Sequence, residues 1–513
     1  MAPPGRLGRL LALSALVYLG LWTALPCLVG GPLGRDTVQI VFWGMEWQAG
    51  FHKHPPLVSW VSELALTLFG RHDGVLYATS ALLALGAFAA LFALAGRLLD
   101  RRGAVLAVLA LPLSGYFSFI VPHLNHNVML LPAWGLAILF AFLAIEEGRG
   151  WAWPALGVAL GLGILAKYTI LILPLLFLLH VLCEPGRRAV LADRRAWGAV
   201  ALCLLVAGPN LAWVAAGGFA PLRYLSDGAG LADGAVPLDH LVAPLAAAGQ
   251  VLGMAAPMLG ALALAVGRPR CPRRPLDSRD RFLLWVALGP LGLVVLLAAA
   301  TGGMMRLEWA TPFLLPCPLL ALRLWHDAPG AAGLRRFLPW GAGLTLAMAV
   351  TYVLVFTGRV PALDEARWSR FPAADLAGRV AAAWRGVCDG PLPVVVADSW
   401  LGGVVSHALA ERPRVYVEAD PRMAPWLDDR TVRAGGAVVL WEESGRATFR
   451  DLDHQEAPRP GQPLDWFPGL AALSSRFGPL VGTESVELRY PDRLGLAPLR
   501  IGLVLVPPAT PCR

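Results

Sequence analysis

Long apolar runs separated by short polar breaks dominate this chain. Runs of about 20 apolar residues, the length a helix needs to cross a bilayer, begin near residues 8, 77, 103, 128, 153, 169, 197, 241, 282, 310 and 337. Every second break is basic. Arg6 and Arg9, then Arg97 with Arg101 and Arg102, then Arg149 mark one side of the membrane. Arg187-Arg188 with Arg194-Arg195, the stretch from Arg268 to Arg281, and Arg335-Arg336 continue the series. Basic loops stay cytoplasmic, so about eleven spans from a cytoplasmic start end outside. The first run, to about Gly30, has a longer core than a signal peptide and no A-x-A-like cleavage site, and is expected to be retained.

One segment tests that threading. Residues 153–183 lie between two basic markers and must cross twice in a short length. A turn at Ala166-Lys167-Tyr168 predicts two short helices with Lys167 at the far surface. A single tilted helix with Lys167 snorkelling is the alternative. With the turn, the loops around Asp36, Asn125-His126-Asn127, Arg223-Tyr224 and Arg306-Glu308-Trp309 all fall on the outer side, as does everything after about residue 358.

Past residue 360 the pattern changes. Charge density rises, and the short runs PVVVAD, RVYVEA, GAVVLW and IGLVLV read as strands bounded by turn signals, with LGGVVSHALAERP as a helix between the first two. The expected protein is α-helical and polytopic. A membrane domain covers 1–358 with an external loop at 31–76, and a small extracytoplasmic α/β domain covers 359–513.

Composition agrees with this reading. Hydrophobic residues make up 57% and charged residues 15%, against about 25% charged in soluble proteins. The net charge of +8 does not signal nucleic acid, because the basic residues sit in short loops beside apolar spans, where anionic lipid headgroups are the natural partner. The seven cysteines form no CxxC; Cys388 and Cys512 lie in the polar C-terminal region and could pair outside the cytoplasm. No P-loop, GxGxxG or G-x-S-x-G occurs, which argues against a nucleotide-using enzyme. Asp451-Leu452-Asp453 reads as a solvated turn.

Candidate chemistry gathers in the first outer break, GRDTVQIVFWGMEWQAGFHKHPPL. Ionisable residues beside a bilayer are costly and need a reason. Asp36 could act as general base or align an acceptor, or simply cap a helix. Pro55-Pro56 fix their own φ and hold His54 extended; with Lys53 and His52 this suits a phosphate contact, the alternative being a helix-breaking interfacial loop. In the next outer loop His123, Asn125, His126 and Asn127 offer hydrogen bonds to a sugar or headgroup, and its two histidines lack a third ligand of zinc-site spacing. Arg306 matches phosphate geometry and Trp309 favours an interface. Asp36 and Glu46 could reach a divalent metal, although no spacing compels one, so no cofactor is certain.

The order of these motifs resembles the GT-C glycosyltransferases, most of all glycosyltransferase family 39 and its bacterial relatives, the protein O-mannosyltransferases and aminoarabinose-type lipid A glycosyltransferases. The resemblance rests on Asp36, Phe42-Trp43, Gly50-Phe51-His52-Lys53-His54-Pro55-Pro56-Leu57, Leu68-Phe69-Gly70, Gly161 through Lys167-Tyr168, and Arg306 through Trp309 to Pro312, and covers roughly residues 10–360. It implies an inverting transfer from a polyprenyl-phosphate sugar donor to a lipid A, glycolipid, polysaccharide or protein acceptor, on the periplasmic face of a bacterial inner membrane. It implies Asp36 as the catalytic carboxylate, and His54, Lys53, Lys167 and Arg306 as donor-phosphate contacts. Glu46, Asn125, Asn127 and Trp309 would then lie beside substrate. Two positions depart from the family pattern. Thr37 follows Asp36 where many relatives carry an acid, and Asn127, seven residues before Trp134, stands where many carry a second Asp.

Two rival classes remain. A lipid or glycolipid transporter would place polar groups near the midplane on broken helices, often in inverted repeats, whereas these collect on one side with no repeat. An inactive lipid-binding scaffold is suggested by Asn127 and opposed by the retention of Asp36 and His54.

Overall fold

The computed structural model describes residues 5–221, 223, 236–267, 275–303, 307–324, 331–360, 369–443, 466–491, 494 and 496–510. Two compact units result. One comprises Met1–Leu28, His54–Val58 and Ala65–Tyr352; the other comprises Val29–Lys53, Ser59–Leu64 and Val353–Arg513.

In the first unit, among the described residues, seven helices are long and apolar enough to cross a membrane. They are α1 (Arg6–Val29), α4 (Asp73–Leu98), α6 (His126–Ala141, prolonged by a π-turn to Glu146), α9 (Arg194–Ala216), α10 (Asp239–Val266), α11 (Ser278–Thr301) and α13 (Ala331–Phe356). The remaining expected spans are shorter pieces: α5 (Arg101–Ala110) continued by turns to Ile120, α7 (Ala152–Ala166), α8 (Ile172–Cys183), and a 3₁₀ segment Leu307–Leu314 leading into α12 (Cys317–Leu324). With 15 residues, α7 is about 22 Å long, less than the hydrocarbon thickness of about 30 Å.

The expected reversal at Lys167 is present. Lys167 takes an extended conformation (φ −164°, ψ 133°) that ends α7. Where α7 meets α9, Gly157 lies against Ala199 and Gly161 against Cys203 and Val206, so these two helices run parallel. The chain must therefore return between them, and α8 is that return. The close approach needs glycine: a Cβ on Gly157 would fall 2.5 Å from the Ala199 carbonyl oxygen. Small residues admit such backbone contact in membrane bundles.

The basic turns gather at one end of this unit. Glu146, closing α6, receives His180 Nε2 at 2.8 Å, Arg187 Nη2 at 2.8 Å and Ser278 Oγ at 3.0 Å. Arg323 donates to Asp280 at 2.8 Å and to the Leu98 carbonyl at 2.9 Å. A capping box of Asp277 and Asp280 starts α11 there. Buried charges survive only when paired and hydrogen-bonded, and this cluster meets that demand for five chain segments at once. At the other end lie Asn127, Lys167 and the Tyr168–Asn210 hydrogen bond of 3.0 Å.

The second unit holds a five-stranded mixed sheet of order β2-β1-β3-β5-β4. Its strands are β1 (Val394–Ala397), β2 (Arg414–Val417), β3 (Ala437–Glu442), β4 (Val481–Leu488) and β5 (Leu499–Val506). β1 pairs parallel with β2 and β3, while β5 pairs antiparallel with β3 and β4. Four of these strands were expected. β4 was not: only Val486 and Leu488 in it are buried, so its sequence lacks the apolar run that marks an inner strand, and edge pairing to β5 holds it.

This unit also takes in chain from the first outer break. Helix α2 (Arg35–Gly44) packs on α15 (Ser399–Ala408), where Gln39 Nε2 donates to Ser399 Oγ at 3.2 Å and a Cβ on Gly403 would strike Val38 and Phe42. Trp43 stacks on Phe51 at 4.4 Å between centroids, and Phe51 meets Trp426 edge-on. Cys388 is disulfide-bonded. Cys512, Tyr224, Arg306 and the Asp451–Asp453 turn lie outside the described residues.

Candidate active site

Asp36 sits in the first turn of α2, whose N-cap is Gly34 with no side-chain cap hydrogen bond. The capping alternative therefore does not account for it. Its side chain is exposed, and it makes no hydrogen bond or ion pair among the described residues. The eight residues that follow, Thr37 through Gly44, are all buried, so the sequence folds this helix with one carboxylate left at its accessible start. A helix N-terminus favours negative charge at that place.

Glu46, expected beside substrate or a metal, is engaged elsewhere. Both of its oxygens accept from Arg414, at 2.9 and 2.6 Å. Glu63 is held the same way by Arg412, at 2.9 and 2.6 Å. Planar guanidinium forks match carboxylates in this bidentate manner, and the two pairs tie the outer segment to strand β2 and the turn before it. Lys53, expected at the donor phosphate, is a buried residue, 6% exposed. His52 sets its ring edge-on to Trp43. It also favours the anionic form of Asp420. Burial pushes that carboxyl up, yet hydrogen bonds from the Arg422 side chain and backbone outweigh it and hold Asp420 below the usual carboxylate range.

In the membrane unit, His54 precedes Pro55-Pro56 and the start of α3 (Leu57–Phe69). Its ring lies 4.0 Å from that of His126, centroid to centroid, tilted by 33°. Sequence reasoning named His126 as a sugar or headgroup contact and gave no sign of its partner. The residue stood in a polar loop already singled out, but its pairing with His54 depends on tertiary packing.

Asn125 is expected beside substrate and instead caps α6. Its Oδ1 accepts from the backbone N–H of Asn127 and Val128, and its Nδ2 donates to the His123 carbonyl at 2.9 Å. An asparagine just before an apolar helical run carries that capping signal in sequence. Asn127, one turn in, is 5% exposed, and its Oδ1 accepts from Lys167 Nζ at 2.5 Å. The Lys167 ammonium also lies 5.4 Å from the centroid of the Trp309 ring, a cation–π arrangement. Four sequence-nominated or adjacent positions thus meet in one unit: His126, Asn127, Lys167 and Trp309, with His54 against the first. Among the described residues no group of three or more His, Cys, Asp and Glu is placed to hold a metal ion.

Known proteins share this arrangement of elements. The profile of the dolichyl-phosphate-mannose-protein mannosyltransferase family matches residues 53–213, the stretch that holds His54, Asn127 and Lys167. Lipopolysaccharide core galacturonosyltransferase RgtA of Rhizobium johnstonii is 26% identical over 464 residues, covering 86% of this chain and 88% of the relative. RgtB of the same organism is 26% identical over 434 residues, covering 77% and 86%. The crystal structure of ArnT from Cupriavidus metallidurans superposes with a TM-score of 0.63 in the apo state and 0.62 bound to undecaprenyl phosphate. Each alignment covers 96% of this chain and 97% of that one, at 16% and 14% identity, a likeness of fold. The chain therefore has an ArnT-like, GT-C type of membrane fold and is similar in sequence to lipopolysaccharide core galacturonosyltransferases.

Proposed function

We propose that this protein transfers a sugar acid from a polyprenyl-phosphate carrier to a lipopolysaccharide-type envelope acceptor, on the periplasmic face of a bacterial inner membrane. The observation that carries this reading is the similarity, over 86% and 77% of this chain, to two lipopolysaccharide core galacturonosyltransferases. The carrier is suggested by the fold shared with an enzyme crystallised with undecaprenyl phosphate. The outer side is supported by the basic turns at the opposite end of the membrane unit, which the positive-inside rule makes cytoplasmic.

In this reading an acceptor hydroxyl oxygen attacks the anomeric carbon from the face opposite the carrier. The new C–O bond forms as the bond to the phosphate oxygen breaks, so the anomeric centre inverts. Asp36 takes the hydroxyl proton, a general-base role. The polyprenyl phosphate leaves as an anion, and fixed cations stabilise the charge that develops on it. His54, held by Pro55-Pro56 and the His126 ring, is the first of these; Arg306 is a second.

The test is a transfer assay with purified protein in lipid, supplied with radiolabelled polyprenyl-phosphate sugars and an envelope lipid extract, with and without a chelator. Label entering the extract with the unmodified protein and not with Asp36→Asn supports the reading and names the sugar. Binding of donors with no transfer to any envelope fraction favours a transporter or lipid-binding scaffold.

A further inference from the structure

The contact between Asn127 and Lys167 carries more than a place in the fold. Lysine can only donate, so the 2.5 Å contact fixes Asn127 with Oδ1 toward the ammonium. The Nδ2 group is then turned away as a donor, and it makes no hydrogen bond among the described residues. Lys167 is 9% exposed, so its charge acts where water screens it little. An amide at 127 meets that ammonium with a dipole and adds no charge of its own. A carboxylate at the same position would cancel the charge of the ammonium.

Place matters as much as charge. His126 touches His54, and Asn127 is the next residue along. In the donor the sugar is bonded directly to the phosphate, so a sugar site adjoins the phosphate site. Trp309, beside Lys167, offers the flat aromatic face on which a pyranose packs. Elsewhere in this unit the Trp134 indole N–H is buried with no hydrogen-bond partner among the described residues, its ring 5.5 Å from that of Phe313. The Tyr116 hydroxyl is likewise buried and unsatisfied. Buried donors of this kind call for a ligand or water.

We propose that Lys167, held by Asn127 beside Trp309, binds the carboxylate of the transferred sugar, and that the amide at 127 is what makes the site select an anionic sugar over its neutral counterpart. The proposal rests on the donor reading above and assigns Lys167 to the sugar instead of the carrier phosphate.

Three ligands separate the two assignments: free polyprenyl phosphate, polyprenyl-phosphate galacturonate, and polyprenyl-phosphate galactose. Each is titrated against the unmodified protein, Asn127→Asp and Lys167→Gln in lipid nanodiscs, with melting temperature as the check on folding. Asn127→Asp is nearly isosteric and changes only charge. The expected result is that both variants weaken the galacturonate donor by about tenfold or more, the effect of losing one charge-assisted contact of about 1.4 kcal/mol. Affinity for free polyprenyl phosphate stays within about twofold, a change of less than about 0.5 kcal/mol. Equal weakening of all three ligands by Lys167→Gln overturns the proposal and returns Lys167 to the phosphate. An unchanged galacturonate-over-galactose preference in Asn127→Asp overturns it as well. If the unmodified protein binds free polyprenyl phosphate and neither sugar donor, the donor reading itself falls, and this proposal with it.

Discussion

Glu46 and Arg414 stand 368 residues apart and share two hydrogen bonds, Nε to Oε1 at 2.9 Å and Nη2 to Oε2 at 2.6 Å. The glutamate follows α2, the helix whose first turn carries Asp36, and the arginine opens strand β2. The Glu46 side chain is 6% exposed and that of Arg414 42%, so solvent screens the pair on one side only. Glu46→Ala is expected to cost about 1–2 kcal/mol, the lower part of the range for charged hydrogen bonds because of that screening. Arg414→Ala should cost a similar amount, and the double variant less than the sum. Thermal melts in detergent measure the three; additive losses would show that the two side chains act independently.

Asp36→Asn keeps the size of the side chain and removes the base. Transfer is expected to fall by about 10²- to 10⁴-fold, the range for general-base catalysis, with melting temperature and donor affinity unchanged. Turnover near that of the unmodified protein would remove Asp36 from the mechanism.

His54→Ala should act mainly on binding. The donor Kd is expected to rise about tenfold, equivalent to about 1.4 kcal/mol, with a smaller change in kcat at saturating donor. A lower kcat with unaltered donor affinity would mean that His54 serves the transition state alone.

Gly157→Val puts a branched side chain where even a Cβ would lie 2.5 Å from the Ala199 carbonyl oxygen. Backbone cannot move aside as a flexible side chain can, so α7 and α9 must separate. A loss of about 1–3 kcal/mol is expected from overpacking, read as a lower melting temperature and a broader elution profile. A substitution at Gly198, which has open space around it, should leave both unchanged and serves as the control.

Asp420 links pH to the stability of the second unit. Arg422 holds the folded carboxyl below its ordinary value, so the folded form binds its proton less readily than the unfolded chain. The stabilisation is therefore fully present above the unfolded value of about 3.9 and is lost as pH falls through the depressed folded one. Arg422 is 90% exposed on its side chain, which limits the effect to about 0.5 kcal/mol. Asp420→Asn should lower the melting temperature slightly at neutral pH and match the unmodified protein in strong acid; an equal gap at both would exclude the linkage.

How far residues could be read in advance depended on the range of the interaction. Val394–Ala397 and Ala437–Glu442 were legible as strands because inner strands are apolar on both faces. Val481–Leu488 was not, because an edge strand with six exposed positions owes its conformation to the partner that pairs with it. The turn at Lys167 was legible by counting basic loops on either side of 153–183, although no local signal there names it. Asn125 has a structural role that was not read: a cap and a sugar contact call for the same side chain, and the bonds made to Asn127, Val128 and His123 show the cap. The ion pair of Glu46 was not legible either, since nothing near it in sequence announces Arg414.

By itself, the amino-acid order determined that the chain is helical and spans the membrane several times, and where the sheet-forming region begins. Those properties follow from transfer free energy, which adds up residue by residue along the chain. Tertiary structure alone decided which polar groups are spent on holding the fold and which are left for chemistry. Glu46 and Asn125 are used structurally, Asp36 stays open, and Asn127 meets Lys167. A hydrogen bond acts only over about 3 Å, so such choices depend on residues brought together from distant parts of the chain.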